Sequence, residues 1–389
     1  MSVNRRLRIA ILGTRGVPAR YGGFETFAEQ LSTRLALRGH EVTVYGRCRF
    51  WERWGTREPH CGVNRRVTPT IFHKYLETPL HALSSFIDML FRRCDAALLC
   101  NAANSPFVPI LLTKRIPLLI NVDGIERNRA KWNALGKLWY LLGERCSVMF
   151  ATRMVSDAEV IAEYYREAYG CESVVIPYGV HPVVRQPGEV LTKFQLRPRE
   201  YILYVSRLEP ENNALGVIEA YNKLQTDKPL VVVGDAPYAL EYKERLRRVA
   251  SSNVVFTGFQ FGAAYEELQS NCYVYVQATE VGGTHPALIE SMSYGNCVIV
   301  NGTPENLEVI ADAGLSFPKN DFEALARRLQ ELLTNPAMVS DYGKRAARSA
   351  QARYSWDAIV ERYELLLMGL VEGKKRPASA NEAVCDARV

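Results

Sequence analysis

The strongest constraint on how this chain can fold is a repeated alternation of short apolar tracts, each of strand length, with stretches of helical periodicity. In the first half, Leu7–Leu12, Glu41–Tyr45, Ala96–Leu99, Leu118–Asn121, Met149–Val155 and Val174–Ile176 read as strands. Helices are expected at Phe24–Arg38, where Phe24, Phe27, Ala28, Leu31 and Leu35 share one face, and near Leu80–Arg92, Ala134–Cys146 and Asp157–Ala168. Apolar strands separated by helices predict a parallel sheet covered on both faces. The periodicity lapses over Pro182–Pro198, which has the proline and glycine content of a linker. It then restarts, with strands at Tyr201–Val205, Leu230–Val233, Val254–Thr257, Tyr273–Gln277 and Cys297–Asn301 and helices between and after them. The expected fold is α/β, with two doubly wound Rossmann-like domains facing a cleft at the carboxyl ends of their strands, where such folds bind ligands. The expected boundaries are 1–180, a linker at 181–198, 199–355, a last helix at 356–370, and a disordered polar tail at 371–389.

Composition narrows the function. No run approaches the ~18–20 apolar residues that span a bilayer. The apolar tract Ile9–Leu12 is too short for a signal peptide, so a cytoplasmic protein is expected. Nine scattered cysteines, with no Cys-x-x-Cys pair, suit a reducing compartment and suggest neither disulfides nor a metal site. Residues 1–180 carry 25 Lys and Arg against 16 Asp and Glu, a net of +9, while the remainder is at −3. A basic half calls for an acidic partner, such as anionic lipid headgroups at the inner face of the cell membrane or a diphosphate-linked lipid acceptor. A solvated arginine-rich surface is the competing reading. No nucleic-acid recognition motif is present, so nucleic acid is not expected as a partner.

The motif richest in chemistry is Gly282-Gly283-Thr284-His285-Pro286-Ala287-Leu288-Ile289-Glu290. Two glycines leave backbone amides bare just before a helix, and a helix N-terminus attracts anions. Glu290, one turn in, is suited to pairs of sugar hydroxyls. Together they suggest a nucleotide-sugar site, against a plain loop-to-helix turn capped by Thr284. His285 is either a phosphate donor or a satisfied structural residue. The first loop, Gly13–Glu25, contains Gly22 and Gly23 but matches neither the dinucleotide fingerprint nor the P-loop. Asp123 and Glu126 lie at a strand end, where one could serve an acceptor hydroxyl, unless they form an Asp-Gly turn and a solvated surface. Arg207, also at a strand end, suits bidentate grip of a diphosphate. Val233-Gly234-Asp235 and Thr257-Gly258-Phe259 end two further strands. No Asp-x-Asp metal clamp occurs, and neither metal nor cofactor is expected.

These segments together resemble glycosyltransferase family 4, retaining enzymes of GT-B fold, over roughly residues 7–370. The resemblance rests on the Gly22-Gly23 loop, Ile176-Pro177-Tyr178-Gly179-Val180, Arg207–Asn213, Val233–Pro237 and Gly283–Glu290. Thr14–Thr26 together with Gly-Gly-Thr-His-Pro looks like a bacterial subgroup that includes rhamnosyltransferases of capsule and exopolysaccharide assembly. The resemblance implies metal-independent sugar transfer, with retained configuration, from a nucleoside diphosphate sugar to a saccharide or polyprenyl-linked acceptor. A deoxythymidine-diphosphate rhamnose donor is the best guess. It implies an acceptor-binding first domain, a donor-binding second domain, and a C-terminal helix crossing back to the first. Carried over by position, Arg207 holds the diphosphate and Glu290 the ribose hydroxyls. Gly283, Thr284 and His285 surround the donor sugar and phosphates, with Asn212, Asp235 and Phe259 nearby. Gly22 and Gly23 face the diphosphate, and Asp123 stands by the acceptor hydroxyl. Two positions depart from the pattern. Asn212 stands where many members have Lys, and Gly282 stands where the first of two Glu usually falls, with Glu280 two positions earlier. A nucleotide-sugar epimerase and a non-catalytic nucleotide-sugar-binding protein are the alternatives.

Overall fold

Residues 6–19, 23–73, 75–129, 132–236 and 239–373 are described by the computed structural model, and they fall into two units. The first comprises the described parts of Met1–Arg127, Trp132–Tyr178 and Trp356–Val389. Its strands are β1 (Arg8–Leu12), β2 (Glu41–Arg49), β3 (Gly55–His60), β4 (Val63–Thr70), β5 (Ala96–Cys100), β6 (Leu118–Val122), β7 (Arg153–Ser156) and β8 (Ser173–Val175). They lie in the order β3-β4-β2-β1-β5-β6-β7-β8. All pairings are parallel except the β3–β4 hairpin. Helices α1 (Gly23–Leu37), α2 (Glu77–Leu90), α3 (Ala134–Phe150) and α4 (Glu159–Tyr169) connect them. The central strands are apolar throughout because both faces are covered, and β5 and β6 are buried at every residue.

Two local readings change. Met149, expected in a strand, belongs to the last turn of α3, and the strand starts only at Arg153. The hairpin was not foreseen. Its turn, Cys61-Gly62, has positive φ at both residues (48° and 79°), the geometry that matches strand twist in a two-residue loop.

The C-terminal helix, Trp356–Gly373, belongs to this unit. Its Trp356 and Tyr363 rings sit 6.3 and 5.4 Å from that of Phe27 on α1. Asn121 Nδ2 at the end of β6 donates to the Tyr363 hydroxyl at 2.8 Å. Glu364 accepts from Arg38 at 2.6 Å and is 2.8 Å from His40 Nε2. The helix thus runs beyond residue 370, into the expected tail, and residues 374–389 lie outside the described residues.

The second unit comprises the described parts of Asn128–Lys131 and Gly179–Ser355. The segment read as a linker contains a helix, α5 (Glu189–Lys193). Glu267 holds it, accepting from the amides of Gly188 at 2.8 Å and Leu191 at 2.9 Å. Proline and glycine there mark helix boundaries, and the apolar anchor is the buried Leu191. The sheet contains β9 (Ile202–Val205), β10 (Leu230–Val233), β11 (Val254–Gly258), β12 (Val274–Gln277), β13 (Cys297–Asn301) and β14 (Leu315–Phe317). Its order is β11-β10-β9-β12-β13-β14, all parallel. Chain order therefore reverses between β9 and β12, which is where an open α/β sheet leaves a crevice at its carboxyl edge. Helices α6 (Ala214–Tyr221), α7 (Leu240–Val249), α8 (Ala263–Asn271), α9 (Pro286–Ser293), α10 (Pro304–Ile310), α11 (Phe322–Thr334) and α12 (Pro336–Arg353) cover the faces. The C-terminal helix is α13. Among the described residues no helix is long and apolar enough to cross a membrane, and no cluster of three His, Cys, Asp or Glu is arranged to hold a metal ion.

Candidate active site at the switch point of the second unit

The β9–β12 reversal brings two motifs together. Residues 206–213 leave β9, and residues 278–285 leave β12. Asn213, left-handed at φ 62°, binds them to each other. Its amide donates to the Ala278 carbonyl at 3.0 Å and to Glu280 Oε1 at 2.8 Å, and the Glu280 amide donates to the Glu211 carbonyl at 3.0 Å. Glu280 is therefore engaged in holding the loop. Asn306 supports the loop from behind, donating to the carbonyls of Thr279 at 3.1 Å and Asn301 at 3.0 Å.

Arg207 is partly buried at the end of β9, and its guanidinium makes no hydrogen bond or ion pair with any described residue. A half-buried cation without a partner among the described residues is a ready partner for an anion. Asn212, expected near the diphosphate, is 3% exposed, and its amide donates to the Arg207 carbonyl at 2.7 Å. The asparagine thus fixes the backbone that presents the arginine. Tyr204 adds a second tie, its hydroxyl donating to the Asn212 carbonyl at 2.6 Å.

Across the reversal, His285 is the N-cap of α9 without a side-chain capping bond, and Pro286 opens the helix. Thr284 is buried rather than capping. Burial, with the Arg129 and Arg207 guanidinium groups, pushes the His285 imidazole down to about 3, so the ring is neutral at working pH. The ring also explains Gly282. A Cβ there would lie 2.4 Å from His285 Cε1, so the residue is held to glycine by space. Any side chain at position 282 would meet that imidazole ring.

Glu290, on the second turn of α9, accepts a hydrogen bond from the Tyr265 hydroxyl at 2.6 Å, and Gln269 Nε2 donates to that same hydroxyl at 2.8 Å. Burial lifts the Glu290 carboxyl to about 7, against the Tyr265 bond and with help from Glu266. Tyr265 and Gln269, one turn apart on α8, escaped the sequence reading. Their i, i+4 spacing was the available signal, and it did not stand out among the other polar residues of α8, Glu266, Glu267, Ser270 and Asn271.

The other expected residues are placed as follows. Asp235, two residues beyond β10, is paired with Lys243 at 2.7 Å, and that bond, with the Ala236 amide and against burial, holds its carboxyl below the ordinary aspartate range. Phe259, just past β11, stacks on Phe261 at 5.7 Å, leaving an aromatic pair partly exposed. Gly283 is buried in the β12 loop. In the first unit, Gly23 opens α1, Glu25 accepts from the Arg15 amide at 3.0 Å, and Asp123 lies one residue beyond β6. Arg127 pairs with Glu144 at 3.1 Å. Gly22 lies outside the described residues.

Two known domain types match this architecture in series. Residues 21–183 match the Glycosyltransferase Family 4 model, and residues 192–349 match the model for glycosyl transferases group 1. The chain is similar to O-antigen chain mannosyltransferase C of Escherichia coli, at 25% identity over 92% of this chain and 97% of that protein. It is 26% identical to O-antigen chain mannosyltransferase B of the same organism, over 48% of this chain and about half (49%) of that protein. Among solved structures it resembles a sucrose-phosphate synthase from Thermosynechococcus elongatus, with a TM-score of 0.79 at 19% identity over 95% of this chain and 100% of that one. It also resembles Anabaena HepE in complex with UDP-glucose, with a TM-score of 0.76 at 14% identity over 94% and 100% of the two chains. Both structural likenesses show the GT-B fold. The chain is a glycosyltransferase of GT-B fold, whose two halves match the family 4 and group 1 domain models in series. Its reaction class is hexosyl transfer, which sets aside the epimerase and non-catalytic readings.

Proposed function

We propose that the protein transfers mannose or a related hexose from a nucleoside diphosphate sugar to a glycan or lipid-linked acceptor in surface-polysaccharide synthesis of the O-antigen kind. The observation that carries this is the Arg207 guanidinium, without a partner among the described residues, on one side of the β9–β12 reversal, with the Gly282–His285 loop and Glu290 on the other. Arg207 holds the diphosphate, helped by amides of Gly283 and Thr284, and the neutral His285 donates or accepts without adding charge. Glu290 keeps one carboxylate oxygen on Tyr265 and offers the other to ribose hydroxyls. Phe259 stacks near the base. Asn212 and Asp235 act on the loops that present these groups. Asp123 is the carboxylate on the acceptor side.

In the transfer, the acceptor oxygen bonds to the anomeric carbon as the bond from that carbon to the diphosphate breaks. The acceptor proton passes to the leaving phosphate oxygen, on the same face, so configuration is retained. The charge that grows on the diphosphate falls beside Arg207, and charge placed in advance is the main catalytic contribution open to such a site. The relatives' names favour mannose over the rhamnose suggested by the sequence resemblance.

A thermal-shift panel of GDP-mannose, dTDP-rhamnose and UDP-glucose tests the donor assignment, because a ligand that binds only the folded state raises its apparent stability. One sugar nucleotide is expected to raise Tm in the parent and to lose that effect in Arg207→Ala. No shift with any nucleotide sugar, or an equal shift in the variant, contradicts the site.

A further inference from the structure

A cavity of about 390 Å³ opens at the amino ends of the strands of the second unit, away from the carboxyl edge that carries Arg207 and the Gly282–His285 loop. Tyr273 and Cys297, at the starts of β12 and β13, line one side of it, Val339, Ser340, Lys344 and Ala347 of α12 another, and Arg199, three residues before β9, a third. Helix α12 reaches the turn after α9 because Gly343 has no side chain. A Cβ there would lie 2.3 Å from the Gly295 carbonyl oxygen. The volume and the mixture of apolar walls with a few polar groups are those of a small-molecule site.

Its charges define the ligand. Arg199 holds a left-handed backbone, φ 61°, a conformation that side chains disfavour. Its amide donates to the Asn271 carbonyl at 2.7 Å, and its Nη1 donates to the Cys272 carbonyl at 2.9 Å and to Asn296 Oδ1 at 3.2 Å. The guanidinium is thus fixed through one nitrogen, and Nε and Nη2 have no partner among the described residues. Lys344 has neither an ion pair nor a hydrogen bond with any described residue, and no carboxylate lines the cavity. Two such cations call for an anion of matching charge. A carboxylate would match one of them, whereas a phosphomonoester, at about −1.5 to −2 near pH 7, matches both. Inorganic phosphate would leave most of the volume unfilled, and Tyr273, Val339 and Ala347 offer surface to an organic body.

The cavity is also wired to the candidate active site. Asn296, which accepts from Arg199, is fully buried, and its Nδ2 donates to the Gln269 carbonyl at 2.8 Å and to Gln269 Oε1 at 3.4 Å. Gln269 Nε2 donates to the Tyr265 hydroxyl at 2.8 Å, and that hydroxyl donates to Glu290 at 2.6 Å. An unbroken series of side-chain hydrogen bonds therefore runs from the cation at one edge of the sheet to the carboxylate at the other. We infer that this cavity binds a small phosphomonoester between Arg199 and Lys344, and that its occupancy is transmitted through Asn296, Gln269 and Tyr265 to Glu290. The binding stands apart from the donor assigned above, while the transmitted effect on donor affinity rests on that reading.

Calorimetric titration of the full chain with mannose 6-phosphate, whose phosphate is not on the anomeric carbon and so does not copy the donor, tests the site against inorganic phosphate. One mannose 6-phosphate per chain is expected to bind, more tightly than inorganic phosphate, and equally well in Arg207→Ala. Lys344→Ala and Arg199→Gly, whose glycine suits the left-handed backbone, are each expected to weaken binding by about tenfold or more with the fold retained by thermal midpoint. Bound ester is expected to alter hydrogen exchange in α9, a readout that needs no nucleotide sugar, and to change the Kd of the nucleotide sugar by about fivefold or more. No binding up to about 10 mM overturns the inference. So does binding of inorganic phosphate as tight as that of the ester, binding lost in Arg207→Ala, or binding equal to the parent in both cavity variants. Bound ester that changes neither α9 exchange nor donor affinity overturns the transmission.

Discussion

Glu290 is held where burial favours the acid, while the proposed function needs the carboxylate. Its carboxyl ordinarily titrates near 4.5 and here near 7. Below pH 7 the site is mostly protonated, so kcat/KM is predicted to rise about tenfold per pH unit up to about pH 7 and then level off, read from a pH–rate profile. That limb should vanish in Glu290→Gln, along with about 1.5–3 kcal/mol of transition-state binding. The same shift has a stability sign. Between about 4.5 and 7 the folded state keeps a proton that the unfolded state has released, so this group's contribution falls as pH rises through that window. Glu290→Gln is therefore predicted to raise the melting temperature of the ligand-free protein at pH 8 while weakening nucleotide-sugar binding, measured by thermal shift at pH 6 and 8. Gly282 offers a second test. Gly282→Ala should cost about 1–3 kcal/mol through displacement of the His285 ring, and most of that cost should disappear when His285 is alanine as well, as a double-mutant cycle of urea midpoints can show. Glu290 and Arg207 were legible in the sequence because charged groups at a strand end or a helix start stand out against apolar neighbours. The Gly282–His285 relation and the Tyr265–Gln269 support were not, since both depend on which atoms meet across loops and helices.

At the scale of elements, the parallel strands were easy to read because burial on both faces makes them continuous apolar runs, as in Leu230–Val233. The β3–β4 hairpin was hard to read because Gly55–His60 lies at the sheet edge, largely in water, and lacks an apolar alternation. Its Cys61-Gly62 turn is also a weaker signal than Asn-Gly. The helix α5 was hidden for a different reason. It is five residues long, and its N-terminus is satisfied by Glu267, which lies more than seventy residues further along the chain. Glu267→Ala leaves those amides without their acceptor and is predicted to lower stability by about 1–3 kcal/mol. Hydrogen exchange should show protection lost first at residues 188–196. Unchanged exchange there would mean that α5 is held by Leu191 alone.

At the scale of the whole molecule, chain order and structural unit part company. The last helix, α13, comes after the second unit in sequence but packs in the first, through Phe27, Asn121, Arg38 and His40. Ending the chain before Trp356 is predicted to uncover the apolar side of α1 and to unfold the first unit while the second keeps its cooperative transition, seen as a single remaining step in calorimetry. The central claim, that this is a hexosyltransferase whose donor is gripped at the β9–β12 reversal, is tested most directly by mass spectrometry of a glycan acceptor incubated with the donor that shifts Tm. The parent is predicted to add one hexose and release the nucleoside diphosphate, and Arg207→Ala and Glu290→Ala, both folded, to do so at least about tenfold more slowly. Transfer at the parental rate by both variants, or an unmodified acceptor with the folded parent, would contradict it.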